Sequence, residues 1–317
     1  MSTITTDATM VEFLHLNNHH SRPFLSTQNC YSNPTFSHLR RRRPFQKTSL
    51  SHFVSPPKPL LVVLPLSVAT HALLSPAATL SQDVGAAAFA LGGGYGLVSA
   101  FDYLTDRNII SKKLSRKLVH IFSGLLFVAS WPLFSTSSEA RYFASLAPLA
   151  NCLRLVVYGL SLATDEGLIK SVTREGKPEE LLTGPLYYVL TLAVCAIVFW
   201  RESPVGLLSL AMMCGGDGVA DIMGRKFGHV KLPYNQKKSW AGSISMFAFG
   251  FLISIGMLYY YSALGYFQLD WNITTIRVAV VCFIATIVES LPTTEIIDDN
   301  ISVPLVTLLT AYICFQL

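Results

Sequence analysis

Charged residues are scarce in this sequence. Asp, Glu, Lys and Arg make up 14% of the 317 residues, and hydrophobic residues make up 51%. Soluble domains carry about 25% charged residues. The shortage of charge therefore excludes an ordinary soluble domain and predicts an integral membrane protein.

Several common motifs are absent. The six cysteines form no CxxC pair, which argues against a zinc site or a disulfide framework, and they are interpreted as small apolar residues. No GxxxxGK[ST] loop and no HRD or DFG set occurs, which excludes the common soluble nucleotide-binding enzymes. The glycines of LGGGYG, at 91–96, lie in an apolar segment without a βαβ pattern, so dinucleotide binding is not indicated.

Acidic residues are nearly absent from the first 70 positions, where seven Lys/Arg accompany two Asp/Glu. This Ser/Thr-rich and arginine-bearing leader predicts an organellar transit peptide over 1–60, with a disordered cytosolic tail as the alternative. The remainder of the chain has no net charge, so the overall charge of +5 belongs to the leader. Nucleic-acid binding is therefore not predicted.

Apolar segments predict an all-α integral membrane protein, a bundle of about eight transmembrane helices (seven to nine) with short loops. The stretch at 60–76 is either a ninth span or the end of the transit peptide. The eight predicted spans are 85–104, 118–136, 142–162, 184–200, 204–222, 240–262, 277–293 and 301–317.

The loops of this layout carry an uneven charge. Those at 105–117, 163–183, 223–239 and 294–300 hold thirteen Lys/Arg, whereas the opposite side receives Arg141, Arg201 and Arg277. We call the side with the thirteen cations the basic face. The positive-inside rule predicts that it is cytosolic or, in a plastid, stromal.

The sequence GGDGVADIMGRKFG, at 215–228, places charge at the end of an apolar span. In a helix Asp217 and Asp221 lie one turn apart, and Gly224 and Gly228 continue the same face. Two such carboxylates can hold Mg²⁺, and glycines allow close approach of a helix or an anionic ligand. The alternative is a packing stripe whose aspartates pair with lysines.

Residues suited to phosphate binding follow these aspartates. The paired lysines have a second interpretation, because they also match an anchor that holds the next span at the membrane surface. The set comprises Arg225, Lys226, Lys237, Lys238, Ser239 and Gly242.

Two further stretches end at the basic face. SRKLVHIFSG brings Arg116, Lys117 and His120 to the second span, where the histidine is a candidate base or phosphate contact, or a buried core residue. VESLPTTEIIDDNISVP brings three acids, which could hold a second cation or orient a hydroxyl, or form a solvated turn. These acids are Glu289, Asp298 and Asp299.

The pattern Asp217-x-x-Ala220-x-x-x-Gly224-x-x-x-Gly228, then eight residues, then Lys237-Lys238-Ser239-x-x-Gly242, resembles the CTP-binding signature of the polyprenol kinase family. That family includes dolichol kinases and plant phytol and farnesol kinases. The resemblance to the chloroplast phytol kinases runs from about Asp83 to the C-terminus, so we expect a kinase domain over 83–317.

The resemblance implies a chloroplast enzyme, in the envelope or the thylakoid membrane, that transfers the γ-phosphate of CTP or UTP to phytol for tocopherol synthesis. For this chemistry we expect catalytic roles for Asp217, Asp221, Glu289 and His120, and Mg²⁺ held by Asp217 and Asp221 with Asp298 and Asp299 as further ligands. The expected nucleotide-binding residues are Arg116, Lys117, Gly224, Arg225, Lys226, Gly228, Lys237, Lys238, Ser239 and Gly242.

One position departs from the dolichol kinase pattern. Ala241 stands where that pattern has an acid, and Ser239 replaces its threonine. Any role of the missing acid falls to Glu289 or Asp298, or is absent. The alternatives are a farnesol or geranylgeraniol kinase, a CTP-dependent cytidylyltransferase, and a transporter whose aspartates bind a coupling ion.

Overall fold

The structure is a computed structural model that describes residues 76–292 and 297–316. The predicted transit peptide at 1–60 lies outside the described residues. Helices make up most of the described chain. Numbered in chain order, the α-helices are α1 (Pro76–Asp106), α2 (Lys112–Ser130), α3 (Ala140–Gly159), α4 (Glu166–Val172), α5 (Gly184–Val198), α6 (Pro204–Leu210), α7 (Gly218–Phe227), α8 (Trp240–Ala263), α9 (Trp271–Ser290) and α10 (Asp299–Gln316).

Helices occupy the positions of all eight predicted spans. Five of these helical segments are long and apolar enough to cross a membrane: Pro76–Asp106, Pro178–Val198, Pro204–Phe227, Trp240–Ala263 and Trp271–Ser290. The segments α2, α3 and α10 do not meet that criterion, and α2 carries several cations in its first turns. This result agrees with the predicted class of integral membrane protein. The count of eight spans stays a prediction.

The segment Pro204–Phe227 forms the central helix. It consists of α6, a π-helical turn over Ala211–Asp217, and α7. Of an apolar 18-residue stretch of this segment, 83% is buried, because α2, α5, α8 and α10 pack around it. A Cβ on Gly216 would lie 3.5 Å from the Cα of Gly250 in α8, so small residues allow these two backbones to pack closely.

A β-hairpin separates the central helix from α8. Strands β1 (Lys231–Leu232) and β2 (Asn235–Ser239) pair antiparallel. The described chain is mostly helical, as predicted, and this hairpin adds a short sheet in what was predicted to be a loop. Its strands pair with each other, and its side chains bond to α9. The Asn235 side chain donates to the Ser290 carbonyl at 3.0 Å, and the Tyr234 and Ser290 hydroxyls are 2.9 Å apart.

Charged residues also occur at the end of the bundle away from the basic face. The Arg201 guanidinium, 1% exposed, donates to the carbonyls of Trp131 and Phe134 at 3.2 and 2.9 Å and to that of Ser135. The buried Asp83 carboxylate accepts from the Ser135 N–H at 2.6 Å. Arg201 is bonded mainly to backbone carbonyls, and Asp83 also accepts from the hydroxyls of Ser135 and Ser137, so both charges stabilise the fold at this end.

Candidate functional site

Three acids meet at the basic-face end of the central helix. Asp217 closes the π-helical turn, Glu289 lies in the last turn of α9, and Asp299 begins α10. One carboxylate oxygen from each lies within 4.8 Å of the other two. We call these three residues the carboxylate cluster. Such a grouping can hold a divalent cation.

The ammonium of Lys238 lies among these carboxylates. It donates to Glu289 Oε1 and, at 3.0 Å, to Asp299 Oδ2. Burial by itself would lower the pKa of Lys238, but the negative charges of Glu289, Asp299 and Asp217 outweigh that effect and raise the pKa above its ordinary value. Lys238 is therefore a cation at physiological pH.

The cluster keeps unused hydrogen-bonding capacity. Glu289 is 4% exposed, and its Oε2 has no hydrogen-bond partner among the described residues. The same holds for Asp299 Oδ1 and Asn300 Oδ1. Buried carboxylate oxygens without partners are unfavourable, so a bound cation or a donor group would satisfy them.

The hairpin positions Lys238. Its Asn235 side chain is bonded to Ser290, the residue after Glu289, and this contact brings β2 to the end of α9. The Ser239 hydroxyl, which follows Lys238, accepts from the Gly242 N–H at 3.2 Å and caps α8. The lysine is therefore held between an anchored turn and a capped helix.

Lys117 and His120 approach Asp217 from α2. The Lys117 ammonium lies 3.2 Å from Asp217 Oδ2 and 3.7 Å from Asp221 Oδ2. His120 Nε2 lies 3.2 Å from the Met213 carbonyl, which can accept a hydrogen bond from the tautomer protonated at Nε2, and 3.9 Å from Asp217 Oδ2. Both sequence-predicted residues therefore border the carboxylate cluster.

Asp221 has a different environment from Asp217. It pairs with Arg225 one helical turn later and shares Lys117 with Asp217. The ammonium of Lys117 therefore lies between the carboxylates of Asp217 and Asp221, the two predicted metal ligands. The assignment of Mg²⁺ to the pair Asp217 and Asp221 stays a prediction.

The adjacent acids Asp298 and Asp299 point to different places. Asp298 accepts from the backbone N–H and the side-chain amide of Asn300, at 2.9 and 2.8 Å, and so caps α10. Asp299 joins the carboxylate cluster. Glu289 and Asp298 were the two acids expected to take over the role of the acid missing at Ala241. Among the described residues Lys238 bonds to Glu289 and Asp299, and no bond joins it to Asp298.

The predicted glycine stripe packs against α8. A Cβ on Gly224 would lie 3.3 Å from the Ser239 hydroxyl and 3.6 Å from the Gly242 Cα, and one on Gly228 would lie 2.5 Å from the same hydroxyl. These glycines therefore allow α7 to pack closely against the start of α8. They form the frame of the site next to Lys238.

The remaining predicted cations lie further out. Arg225 pairs with Asp221, and the Lys226 ammonium lies 5.3 Å from the centre of the Phe227 ring. Lys237 is exposed on β2, and its backbone N–H donates to the Asn235 side chain at 3.1 Å.

Arg116 faces a basic cavity of about 320 Å³. Its guanidinium donates to the Thr173 carbonyl at 3.2 Å. The described residues that line this cavity include no acid, which suits an anionic ligand. Three of its cations, Lys112, Lys113 and Arg174, belong to none of the sequence motifs described above, although they lie in loops assigned to the basic face. The lining residues are Lys112, Lys113, Arg116, Ser171, Thr173, Arg174 and Gly176.

The chain is similar to several curated plant proteins. It is 66% identical over 237 residues to "Probable phytol kinase 1, chloroplastic" of Glycine max, a match that covers 75% of this chain and 78% of the relative. It is 64% identical over 249 residues to "Phytol kinase 1, chloroplastic" of Arabidopsis thaliana, covering 78% and 80%. "Probable phytol kinase 1, chloroplastic" of Oryza sativa subsp. japonica is 58% identical over 234 residues, covering 74% of each. No family model and no solved structure matches the chain.

Proposed function

The chain belongs to the chloroplastic phytol kinase family, and we propose that it transfers a phosphoryl group from a nucleoside triphosphate to the hydroxyl of phytol. The observation that carries this proposal is the identity of 64% over 249 residues to "Phytol kinase 1, chloroplastic". The product would be phytyl phosphate, an intermediate of tocopherol synthesis that reuses phytol from chlorophyll.

The proposed donor is CTP, with UTP as the alternative. The spacing from Asp217 to Gly242 supports CTP through the family signature. The basic cavity supports a polyphosphate, because Arg116 and Arg174 face it and the described residues that line it include no acid. We therefore propose that the polyphosphate of the donor extends from the basic cavity toward Lys238, with the terminal phosphate nearest that lysine.

The carboxylate cluster fits the Mg²⁺ that accompanies a nucleoside triphosphate. Mg²⁺ prefers carboxylate and phosphate oxygens, and Glu289 Oε2 and Asp299 Oδ1 are buried oxygens without a partner in the described chain. When bound, Mg²⁺ would neutralise charge on the terminal phosphates. Lys117 and Lys238 lie next to the cluster and would provide further positive charge.

In the proposed reaction the phytol oxygen forms a bond to the γ-phosphorus while the bond from that phosphorus to the β-phosphate oxygen breaks. With CTP as the donor, CDP leaves, and the hydroxyl proton passes to a basic side chain at the site. Asp217 is the first candidate for this base, and Glu289, Asp221 and His120 are the alternatives. Positioning and charge neutralisation contribute most to phosphoryl transfer, so a buried, charge-lined site suits it.

The apolar bundle supports a membrane-dissolved alcohol. We propose that the C20 chain of phytol lies between helices and that its hydroxyl reaches the basic face, with geranylgeraniol as a second substrate. The proposed location is a chloroplast membrane, envelope or thylakoid, crossed by about eight spans with the site on the stromal side. The clustering of cations at one face supports this orientation.

The test uses membranes that contain the recombinant full-length chain, phytol, and CTP labelled either at the γ- or at the α-phosphate. A kinase transfers only the γ-label to lipid. Transfer of the α-label would instead indicate a cytidylyltransferase, and no label in lipid from any nucleoside triphosphate would contradict both. Farnesol and geranylgeraniol, assayed in parallel, measure the selectivity for the alcohol.

A further inference from the structure

We propose that Asp217, Glu289 and Asp299 form one divalent-cation site, and that Lys238 is the counter-ion that occupies it when the cation is absent. This inference deepens the proposed function, because the cation would be the one that accompanies the donor. It differs from the pattern expected from sequence, which paired Asp217 with Asp221 and included Asp298.

The spacing of the oxygens suits a single ion. With Mg–O distances of about 2.1 Å in octahedral geometry, oxygens on opposite sides of the ion are about 4.2 Å apart and neighbouring oxygens about 3.0 Å apart. The three ligand atoms of the cluster lie within 4.8 Å of one another. Side-chain movements of about 1 Å would therefore bring all three into contact with one ion.

The lysines near the carboxylate cluster balance its negative charge only in part. Three carboxylates face Lys238, and Lys117 neutralises Asp217 only in part because it is shared with Asp221. Glu289 Oε2, on a side chain that is 5% exposed, has no partner among the described groups. This oxygen points to a ligand independently of the spacing of the carboxylates, because a buried polar atom normally has a hydrogen-bond partner and this one has none in the described chain.

Lys238 is able to leave the cluster. Its side chain is 23% exposed, and it extends from a strand at the protein surface rather than from a packed helix. A cation with twice its charge would compete directly for Glu289 and Asp299. The released ammonium would then be available to a phosphate oxygen, so one exchange would couple cation binding to donor binding.

The first test measures Mn²⁺ binding, as a stand-in for Mg²⁺, by electron paramagnetic resonance on the purified full-length chain without nucleotide or phytol. Lys238→Met should bind Mn²⁺ at least about tenfold more tightly than wild type, and Glu289→Gln at least about tenfold more weakly. Lys231→Met, which removes an exposed lysine from the same hairpin, should match wild type. Equal affinity of the wild type and Lys238→Met, or no binding by either, would overturn the proposal.

A second measurement needs no variant. A water-soluble acetylating reagent should modify Lys238 of the wild-type chain faster with Mn²⁺ than without it, whereas modification of Lys231 should not change. An unchanged rate at Lys238 would refute the exchange. Both measurements omit phytol and nucleotide, so they can succeed or fail independently of the kinase activity.

Discussion

Asp217→Asn should remove kinase activity and weaken cation binding while the protein remains folded. The Asp217 carboxylate lies 3.2 Å from the Lys117 ammonium, an attraction of about 5 kcal/mol at an effective dielectric constant of 20. Its oxygen also lies within 4.8 Å of oxygens from Glu289 and Asp299, and each repulsion is at least about 3.5 kcal/mol. The relieved repulsion therefore offsets much of the lost attraction.

Two other effects oppose each other as well. Asp217 attracts Lys238, but its own burial is unfavourable. Lys117 keeps Asp221 at 3.7 Å, so no cation is left without a partner. We therefore expect the unfolding free energy of the cation-free variant to lie within about 2 kcal/mol of the wild-type value.

Thermal unfolding in detergent micelles, with and without Mg²⁺, measures this difference. At a Mg²⁺ concentration 100-fold above the wild-type dissociation constant, wild type should gain about 2.7 kcal/mol, and Asp217→Asn, with binding weakened at least about tenfold, should gain at most about 1.4 kcal/mol. Phytyl phosphate formation should fall by more than the roughly 10–100-fold that substitutions around a metal site usually cause. Equal stabilisation of both proteins by Mg²⁺ would refute the reasoning, and so would a variant that is unfolded before Mg²⁺ is added.

Three further predictions concern other parts of the site. Asp299→Asn should weaken Mn²⁺ binding at least about tenfold, whereas Asp298→Asn should leave Mn²⁺ binding and thermal stability close to wild type, because asparagine caps a helix about as well as aspartate; equal Mn²⁺ affinities of the two variants would exclude Asp299 as a ligand. Arg174→Met should raise the KM for CTP without changing the KM for phytol, and an unchanged KM for CTP would remove the basic cavity from the donor site. Gly228→Ala should destabilise the protein by about 1–3 kcal/mol, because its Cβ would lie 2.0 Å from a carbonyl oxygen, whereas Gly256→Ala, with nothing within 4 Å, should not; similar melting temperatures would contradict the packing role.

The helix positions could be predicted from sequence, because apolar runs of sufficient length are visible locally. Boundaries were less accurate. The prediction placed the start of the seventh span at 277, whereas α9 begins at Trp271. The Asp270 side chain accepts from the N–H groups of Asn272 and Ile273, at 3.0 and 3.4 Å, and this cap starts the helix before the apolar run.

The site could be predicted only in part. The motif gives Asp217 and Lys238, but Glu289 and Asp299 reach them through contacts between distant segments. The choice between Asp298 and Asp299 depends on the orientation of the first turn of α10, which no local pattern determines. The hairpin was missed for the same reason, because its anchor, Asn235 on Ser290, joins residues 55 positions apart.

The most direct test of the central claim is the formation of phytyl phosphate by the purified full-length chain in lipid nanodiscs, supplied with phytol, Mg²⁺ and γ-labelled CTP. We expect labelled phytyl phosphate from the wild-type chain and none above background from the folded Asp217→Asn variant. Absence of the product from a folded wild-type chain with CTP, UTP or ATP would contradict the proposed function. Equal product from Asp217→Asn would contradict the proposed site.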